Sequence, residues 1–562
     1  MATSTIHLPE DTALASLRLC TYTPYQRLKW AERSGRMPEG PMRTVYALTG
    51  IQPEVQAYAM AKYSRSRQSM RRTVTELSAE RAEQFLESFY FQYGHRSIAD
   101  LAHVAMAVEN VSILAAIAVV DQQVWDGQER STRYQDFART GYYTPDALAV
   151  SPDAPAYTAA ADALFAEYAA LSRELTALLI ETVGKPETMD DGDYTRTLRA
   201  RAFDVARALL PLATITSVGQ ITSARTLERQ ISELLSSPLT EIRAVAEDLR
   251  AACQSAAFDP AVSAAAQLHQ ALNGIHLPAE AQDALAALMA ALNRTAAAPT
   301  LVKYTAPFAY QIATAQEMRQ AATELLADIP RDPVSPTVAL APAANPTDEL
   351  VATLLYQYDP NQHSYCQILE IVRELSVGFK QEIADLSMRH RGPHDDLLRA
   401  HQVGAPLQFD CTIDIGAFRD LHRHRRCVQI IPAFSAAHGT DDAGQWFAWG
   451  LGDAAATRAA DAGLIARYQH ALRKTHVAVD ALAPAHPDEA AYLLPMASRC
   501  RALFKMDYAE AAYIIEQRTK VGGHFSYRHA AYGMYTALAT REPDFARYIR
   551  VTPPTEIDLL RR

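Results

Sequence analysis

Five consecutive residues, His422-Arg423-His424-Arg425-Arg426, form the densest run of cationic and protonatable side chains in the chain. Read as the end of a helix over 416–426, they turn by about 100° per residue. Arg423, His424 and Arg425 then fan across more than one face, an arrangement able to hold two anionic ligands at once. A run of charge is more commonly a solvated face. A second cluster, Gln128-Glu129-Arg130-Ser131-Thr132-Arg133-Tyr134, follows Asp126-Gly127, a turn signal. A loop of hydroxyls, backbone N–H groups and arginine suits a phosphate monoester, because a guanidinium binds phosphate through two parallel hydrogen bonds. A third cluster is Tyr93-Gly94-His95-Arg96-Ser97-Ile98. Its glycine permits close backbone approach to a ligand, and His95 and Ser97 can hydrogen-bond a ring or a phosphate. Ser97 also suits the N-cap of a helix.

These clusters need elements to hold them, and the elements recur in the same order in two halves. HVAMAVE (103–109) reads as a strand and VSILAAIAVVDQQVW (111–125) as a helix. FDCTIDI (409–415) alternates like a half-buried strand, and GAFRDLHRHRR (416–426) follows as a helix. ARALLPLA (206–213) resembles AYLLPMAS (491–498). Ala-rich stretches at 157–182, 240–256 and 278–294 carry apolar residues at helical spacing and read as packing helices. Five prolines between Pro330 and Pro346 mark a linker. The expected organisation is α+β and helix-rich with short antiparallel strands. It has two tandem related domains, 1–329 and 348–562, joined by a Pro-rich linker at 330–347.

Composition limits the possible partners. The 562 residues are 49% hydrophobic and 21% charged, the profile of a globular chain. With 54 Lys and Arg against 64 Asp and Glu, the net charge is −10, which argues against general affinity for nucleic-acid polymers. Lys62–Arg72 is locally basic but short. The six cysteines include no C-x-x-C pair, so a disulfide framework is not expected and a reducing compartment fits. Cys427 reads as a small packed residue. The N-terminus lacks the pattern of a secretion signal, and the apolar run from Val111 to Val120 is too short to span a bilayer. A cytoplasmic protein without membrane contact is expected. His422-x-His424, with His390, His394 and His401 upstream, could suit a metal on a strand, but the segment reads as helix and no further ligand completes a set. No metal is expected.

Taken together, the blocks resemble the flavin-dependent thymidylate synthase family, in its long, tandem form. That family's signature is Arg-His-Arg, seven residues, Ser, and an Arg two residues later, preceded by Gly-His-x-Ser/Thr and followed by a Leu-Pro segment. The first half keeps Ser131 and Arg133 but has Asp121-Gln122-Gln123 where the triplet belongs. The second half keeps Arg423-His424-Arg425 but has Ala433 where the Ser belongs. Arg207 precedes Pro211, whereas Ala491 precedes Pro495. A later substrate Arg aligns with Arg518 in the second half and Leu234 in the first. The Asn-x-Arg flavin contact reads Ser223-Ala224-Arg225 in the first half and Asp507-Tyr508-Ala509 in the second.

The resemblance implies methylation of dUMP to dTMP, with methylene-tetrahydrofolate as carbon donor and NADPH reducing a bound FAD. It implies substrate contacts from Glu129, Ser131, Arg133, Arg207, Arg423 and Arg518, with Arg423 and Arg518 acting on the pyrimidine's developing charge. It implies flavin contacts from His95, Ser97, Arg225, His424 and Arg425. Because family sites are assembled from several subunits, complementary losses imply a composite site and a homodimer that imitates the family's tetramer. Two alternatives stand beside this: C5-alkylation of another pyrimidine nucleotide, and a catalytically inactive nucleotide-binding scaffold.

Overall fold

In the computed structural model, each half is built around strands that run straight into capped helices. The structure describes residues 48–561 apart from 49, 64–69, 71, 72, 74–78, 93–95, 292–295 and 333–336. His95, and most of the basic stretch from Lys62, lie outside the described residues. In the first half, β1 (His103–Ser112) leads into α1 (Ile113–Val120), followed by β2 (Asp126–Glu129). Two long helices come next, α2 (Ala154–Thr182) and α3 (Asp191–Ala206). Then β3 (Ile215–Ser223) leads into α4 (Ala224–Leu235). After further helices, β4 (Val338–Leu340) lies within the Pro-rich stretch. In the second half, β5 (Leu407–Asp414) leads into α5 (Ile415–Leu421), followed by β6 (Val428–Ile430). Later, β7 (Arg499–Met506) precedes α6 (Tyr508–Arg518) and α7 (Phe525–Arg541).

The sheets are antiparallel, with orders β1-β3-β2 and β4-β5-β7-β6, so the second is the first with one added edge strand. Four strand-to-helix junctions share one device, a short polar side chain accepting from a backbone N–H three residues on. Ser112 accepts from Ala115, Ser223 from Thr226, Asp414 from Ala417 and Asp507 from Glu510. Each occupies one of the donors that a helix start leaves open.

The two Leu-Pro blocks pair with each other. The Leu212 and Ala213 N–H groups donate to the Leu494 and Tyr492 carbonyls (2.9 and 2.7 Å), and those of Met496 and Ala497 donate to Leu210 and Ala208 (both 2.9 Å). Each bond has its counterpart with the halves exchanged, and Pro211 faces Pro495 at the centre. The bonds at this seam are thus related by a local twofold. The halves also share one apolar core, which runs from Val104 and Leu114 through Leu212 to Phe418 and Leu493.

Four local expectations change. The helix expected over 111–125 spans only Ile113–Val120, with Val111 and Ser112 completing β1. The helix over 416–426 ends at Leu421, so the basic triplet stands in a turn behind it. Asp126-Gly127 begins β2 rather than a turn. A Cβ on Gly127 would lie 2.3 Å from the Gly219 carbonyl oxygen and 2.4 Å from the Trp125 ring, so glycine is required there by close approach. Finally, β5 is buried at every position, not on alternate ones. A second apolar cluster, including Leu354, Tyr356, Ile368 and Leu369, includes Leu503 of β7 and Ile430 of β6. Asp410 of β5 is buried beside it with partners, accepting from Arg501 (3.1 Å), the Tyr365 N–H (2.8 Å) and the Tyr356 hydroxyl (3.2 Å). Alternation of polarity here does not mark a solvent-facing side.

Candidate functional site

The loop after β2, the end of α3 and the turn after α5 meet at a small cavity of about 80 Å³. Its apolar wall is Ile117, Val120 and Trp125. The first half supplies Glu129, Ser131, Thr132, Arg133 and Arg207; the second supplies Arg419, Asp420, His422, Arg423 and Arg425. Six of the expected site residues (Glu129, Ser131, Arg133, Arg207, Arg423 and Arg425) therefore line one space within a single chain.

The arginines there are held by carboxylates. Arg133 donates from Nε and Nη2 to both oxygens of Asp204 (2.8 and 3.2 Å), and reaches the second half at the Tyr527 hydroxyl (3.5 Å). Burial works against its charge, but Asp204 raises the guanidinium's pKa above its ordinary value. Arg207 donates to Asp420 (2.9 Å) and Thr132 Oγ1 (3.4 Å). Burial alone would raise the Asp420 carboxyl; Arg207 and Arg133 overcome it and hold the group at about 2. Glu129 pairs with Arg419 across the halves. Arg423 donates to Gln128 Oε1 (2.9 Å), and Arg425 lies 4.3 Å over the Trp125 ring. Burial and the neighbouring Arg423 lower the Arg425 guanidinium to about 10.

Arg518 stands behind the triplet. Its Nε–H donates to His424 Nε2 (2.7 Å), and its guanidinium lies 5.2 Å from the centre of the Tyr527 ring that Arg133 also touches. Burial, reinforced by Arg518, Arg423 and Arg425, lowers His424 to about 3, so at neutral pH the imidazole is an uncharged acceptor.

The described residues expected at a flavin are not gathered in one place. Arg225 lines a separate cleft of about 840 Å³, with Arg96, Arg229, Tyr90, Tyr304 and Tyr310 among its walls. Arg225 is paired there with Asp100 (3.1 Å). Ser97 is exposed within a 3-10 helix that begins at Arg96, not at an N-cap. His424 is buried beneath Arg518, and Arg425 belongs to the smaller cavity. A narrow gap adjoins both spaces, sharing Gln122 and Gln123 with the cleft and His422 and Arg425 with the cavity. The degenerate triplet Asp121-Gln122-Gln123 therefore lines the boundary. Asp121 is engaged by Arg399 (2.7 Å).

Sequence reasoning missed Trp125, Asp204, Asp420 and Tyr527. Trp125 and Asp420 sit within a few residues of recognised motifs, and that proximity was a usable signal. Asp204 and Tyr527 meet Arg133 only through the fold. Cys427 is a packed thiol as expected, donating to the His424 carbonyl (2.9 Å) and pushed up to about 12 by burial.

Comparison with known proteins gives this arrangement a context. The chain is 25% identical to a UPF0159 protein of Chlamydia muridarum (strain MoPn / Nigg), across 92% of this chain and 93% of the relative. It is 24% identical to one of Chlamydia pneumoniae over the same shares, and 23% identical to one of Thermoplasma acidophilum across 87% of this chain and 94% of the relative. The family model described as thymidylate synthase complementing protein, Thy1, matches residues 47–257, the stretch that holds Ser131, Arg133, Arg207 and Arg225. Over that stretch the chain is similar to the thymidylate synthase complementing protein family.

Proposed function

We propose that the chain methylates dUMP to dTMP at the composite cavity, using methylene-tetrahydrofolate as carbon donor and NADPH to reduce a bound FAD. The observation that carries this reading is the convergence of Ser131, Arg133 and Arg207 with Arg423 and Arg425 on one cavity. Each half has kept what the other lost. The local twofold through Pro211 and Pro495 supports the tandem organisation, with halves at 1–329 and 348–562. On this reading a homodimer reproduces the family's tetramer.

The residues divide the work by chemistry. Ser131, Arg133 and Arg207 take the nucleotide phosphate. A guanidinium carries five donors, so Arg133 and Arg207 can bridge a phosphate while keeping contact with Asp204 and Asp420. Arg423 on the cavity wall, with Arg518 reaching in from behind it, would stabilise negative charge on the pyrimidine's carbonyl oxygens, which activates C5. Neutral His424 fixes the direction of the Arg518 guanidinium. Trp125, Ile117 and Val120 keep water from the ring. The larger cleft fits a flavin dinucleotide by volume, by arginines suited to its phosphates and by tyrosine rings; Arg225 and Arg96 would hold it, with Arg425 at the boundary. Bound there, FAD supplies the hydride chemistry.

The test is the visible absorption of the purified protein, followed by release of tritium from C5-labelled dUMP in the presence of methylene-tetrahydrofolate and NADPH. A yellow protein with dUMP-dependent tritium release is expected. A protein that cannot be reconstituted with FAD and releases no tritium would overturn the proposal. One observation favours a second reading, a nucleotide-binding scaffold: both phosphate-facing arginines already hold carboxylates in a cavity smaller than a mononucleotide. Tight dUMP binding without turnover would select that reading.

A further inference from the structure

The second-half sheet carries a third space that shares no residue with the cavity or the cleft. It is about 500 Å³ in volume and includes Arg331, Thr412, His438, Arg499 and Arg501 in its walls. Among the described residues, Thr412 Oγ1 and His438 Nε2 are buried at it without a hydrogen-bond partner, and Arg499 Nε makes no hydrogen bond and has only the Asp441 carboxylate at 3.6 Å. Thr412 is only 5% exposed, so solvent does not satisfy its hydroxyl. A buried group of this kind normally finds a partner, and one without it is a place to look for a ligand.

The unsatisfied atoms share one chemistry. Arg499 Nε can only donate, and Thr412 and neutral His438 can each donate one hydrogen. The arginines are anchored so that they stay at the space. Arg499 Nη2 donates to the Thr412 carbonyl (2.9 Å), Arg331 Nη1 to the Ala437 carbonyl (3.1 Å) and Arg501 Nε to the Gln362 carbonyl (2.9 Å). Of the nearby acids, Asp410 is bound to Arg501 (3.1 Å) and Asp441 stands 3.6 Å from Arg499, while Asp332 is on the wall itself. Burial, then Arg501, Arg331 and Arg499, lower His438 to about 4, so its imidazole is uncharged at neutral pH.

The first sheet has no such arrangement. Counting from the last pair before each capped helix, Ser112 with Ile215 and Asp414 with Arg499, the registers can be matched. Ile215, Ser217 and Glu109 then stand where the second sheet has Arg499, Arg501 and Thr412. The cationic hole is a property of the second half and not of the shared fold. We infer that it is a binding site for a phosphate-bearing small molecule, held by Arg331 and Arg499 with the Thr412 hydroxyl and His438 as further donors.

Titration calorimetry of the full chain with inorganic phosphate, against matched chloride, tests this independently of thymidylate chemistry. Wild-type protein should bind, and Arg331→Ala, whose side chain is exposed, should weaken that binding at least tenfold. Thr412→Val should do the same and Thr412→Ser should restore it, which separates the hydroxyl from any packing effect. Arg133→Ala, in the composite cavity, should leave this binding intact. No phosphate binding by the wild type would overturn the inference. So would binding that survives Arg331→Ala and disappears in Arg133→Ala.

Discussion

The two sheets share a three-strand order and capped exits, yet they solve burial differently. In β1 and β3, exposed positions interrupt the buried ones; Ile221 of β3 is 56% exposed. In β5 and β7, nearly every position is buried, and Lys505, at the register matching Ile221, is 1% exposed. The difference follows from what packs outside. The second sheet carries β4 and an additional core, and the charged residues on its outward side are paired. Lys505 pairs with Glu349 (2.5 Å) and Arg501 with Asp410. One fold can thus accept a second layer without turning its outer face apolar, provided each charge is matched.

The largest expected effect tests that matching. Lys505→Ala leaves Glu349 buried without its counter-charge and should cost about 3–5 kcal/mol. Ile221→Ala, at the same register in the first sheet, should cost no more than about 0.5 kcal/mol, as surface changes usually do. Urea unfolding of both variants measures the contrast, and equal losses would break it.

Next in size is the division of labour at the composite cavity. If Arg518 acts on the pyrimidine's developing charge as proposed, Arg518→Ala should lower kcat by about 10²–10³. Arg133→Ala should chiefly raise the KM for dUMP, as loss of a binding contact does. Steady-state kinetics that show the reverse split would reassign the halves' roles.

The caps offer a third contrast. Asp414 takes the place that Ser112 fills in the first half. Burial, with Asp441 nearby, raises Asp414 to about 7, against the donors Ser526 and Ala417. A carboxyl raised on folding binds a proton in the native state that the unfolded chain has released. Stability should therefore fall as pH rises from about 4 to 7, by up to about 1.4 kcal/mol per unit, and level off above. Asp414→Asn keeps a capping oxygen and should flatten that slope in urea midpoints taken across the window. An unchanged slope would remove Asp414 from the account. The smallest effect is Ser223→Ala, which should cost about 1 kcal/mol as a lost cap at α4, read by the same unfolding measurement.

Much of this was legible along the chain. The strand-then-helix order in both halves, the Leu-Pro blocks and the complementary arginines are local patterns, and local patterns survive in sequence. What escaped was set by partners distant in the chain. Polar alternation in β5 cannot distinguish solvent from Arg501 and Tyr365. The helical reading of His422 to Arg426 failed because the chain turns at His422, whose ring is held by Gln429 (2.7 Å). Nothing near Arg133 announces Asp204, since their pairing depends on α3 returning to the loop after β2.

The reciprocal pairing at Pro211 and Pro495 also sets a timetable for synthesis. The Leu212 and Ala213 N–H groups of the first half find their acceptors only at Leu494 and Tyr492. At about 5–20 residues per second, the roughly 280 intervening residues take on the order of 15–60 s to emerge. Throughout that interval the nascent first half presents a partly unpaired seam beside its core. A chaperone or a second nascent chain has its opportunity there, and the opportunity closes when the Leu-Pro block of the second half arrives.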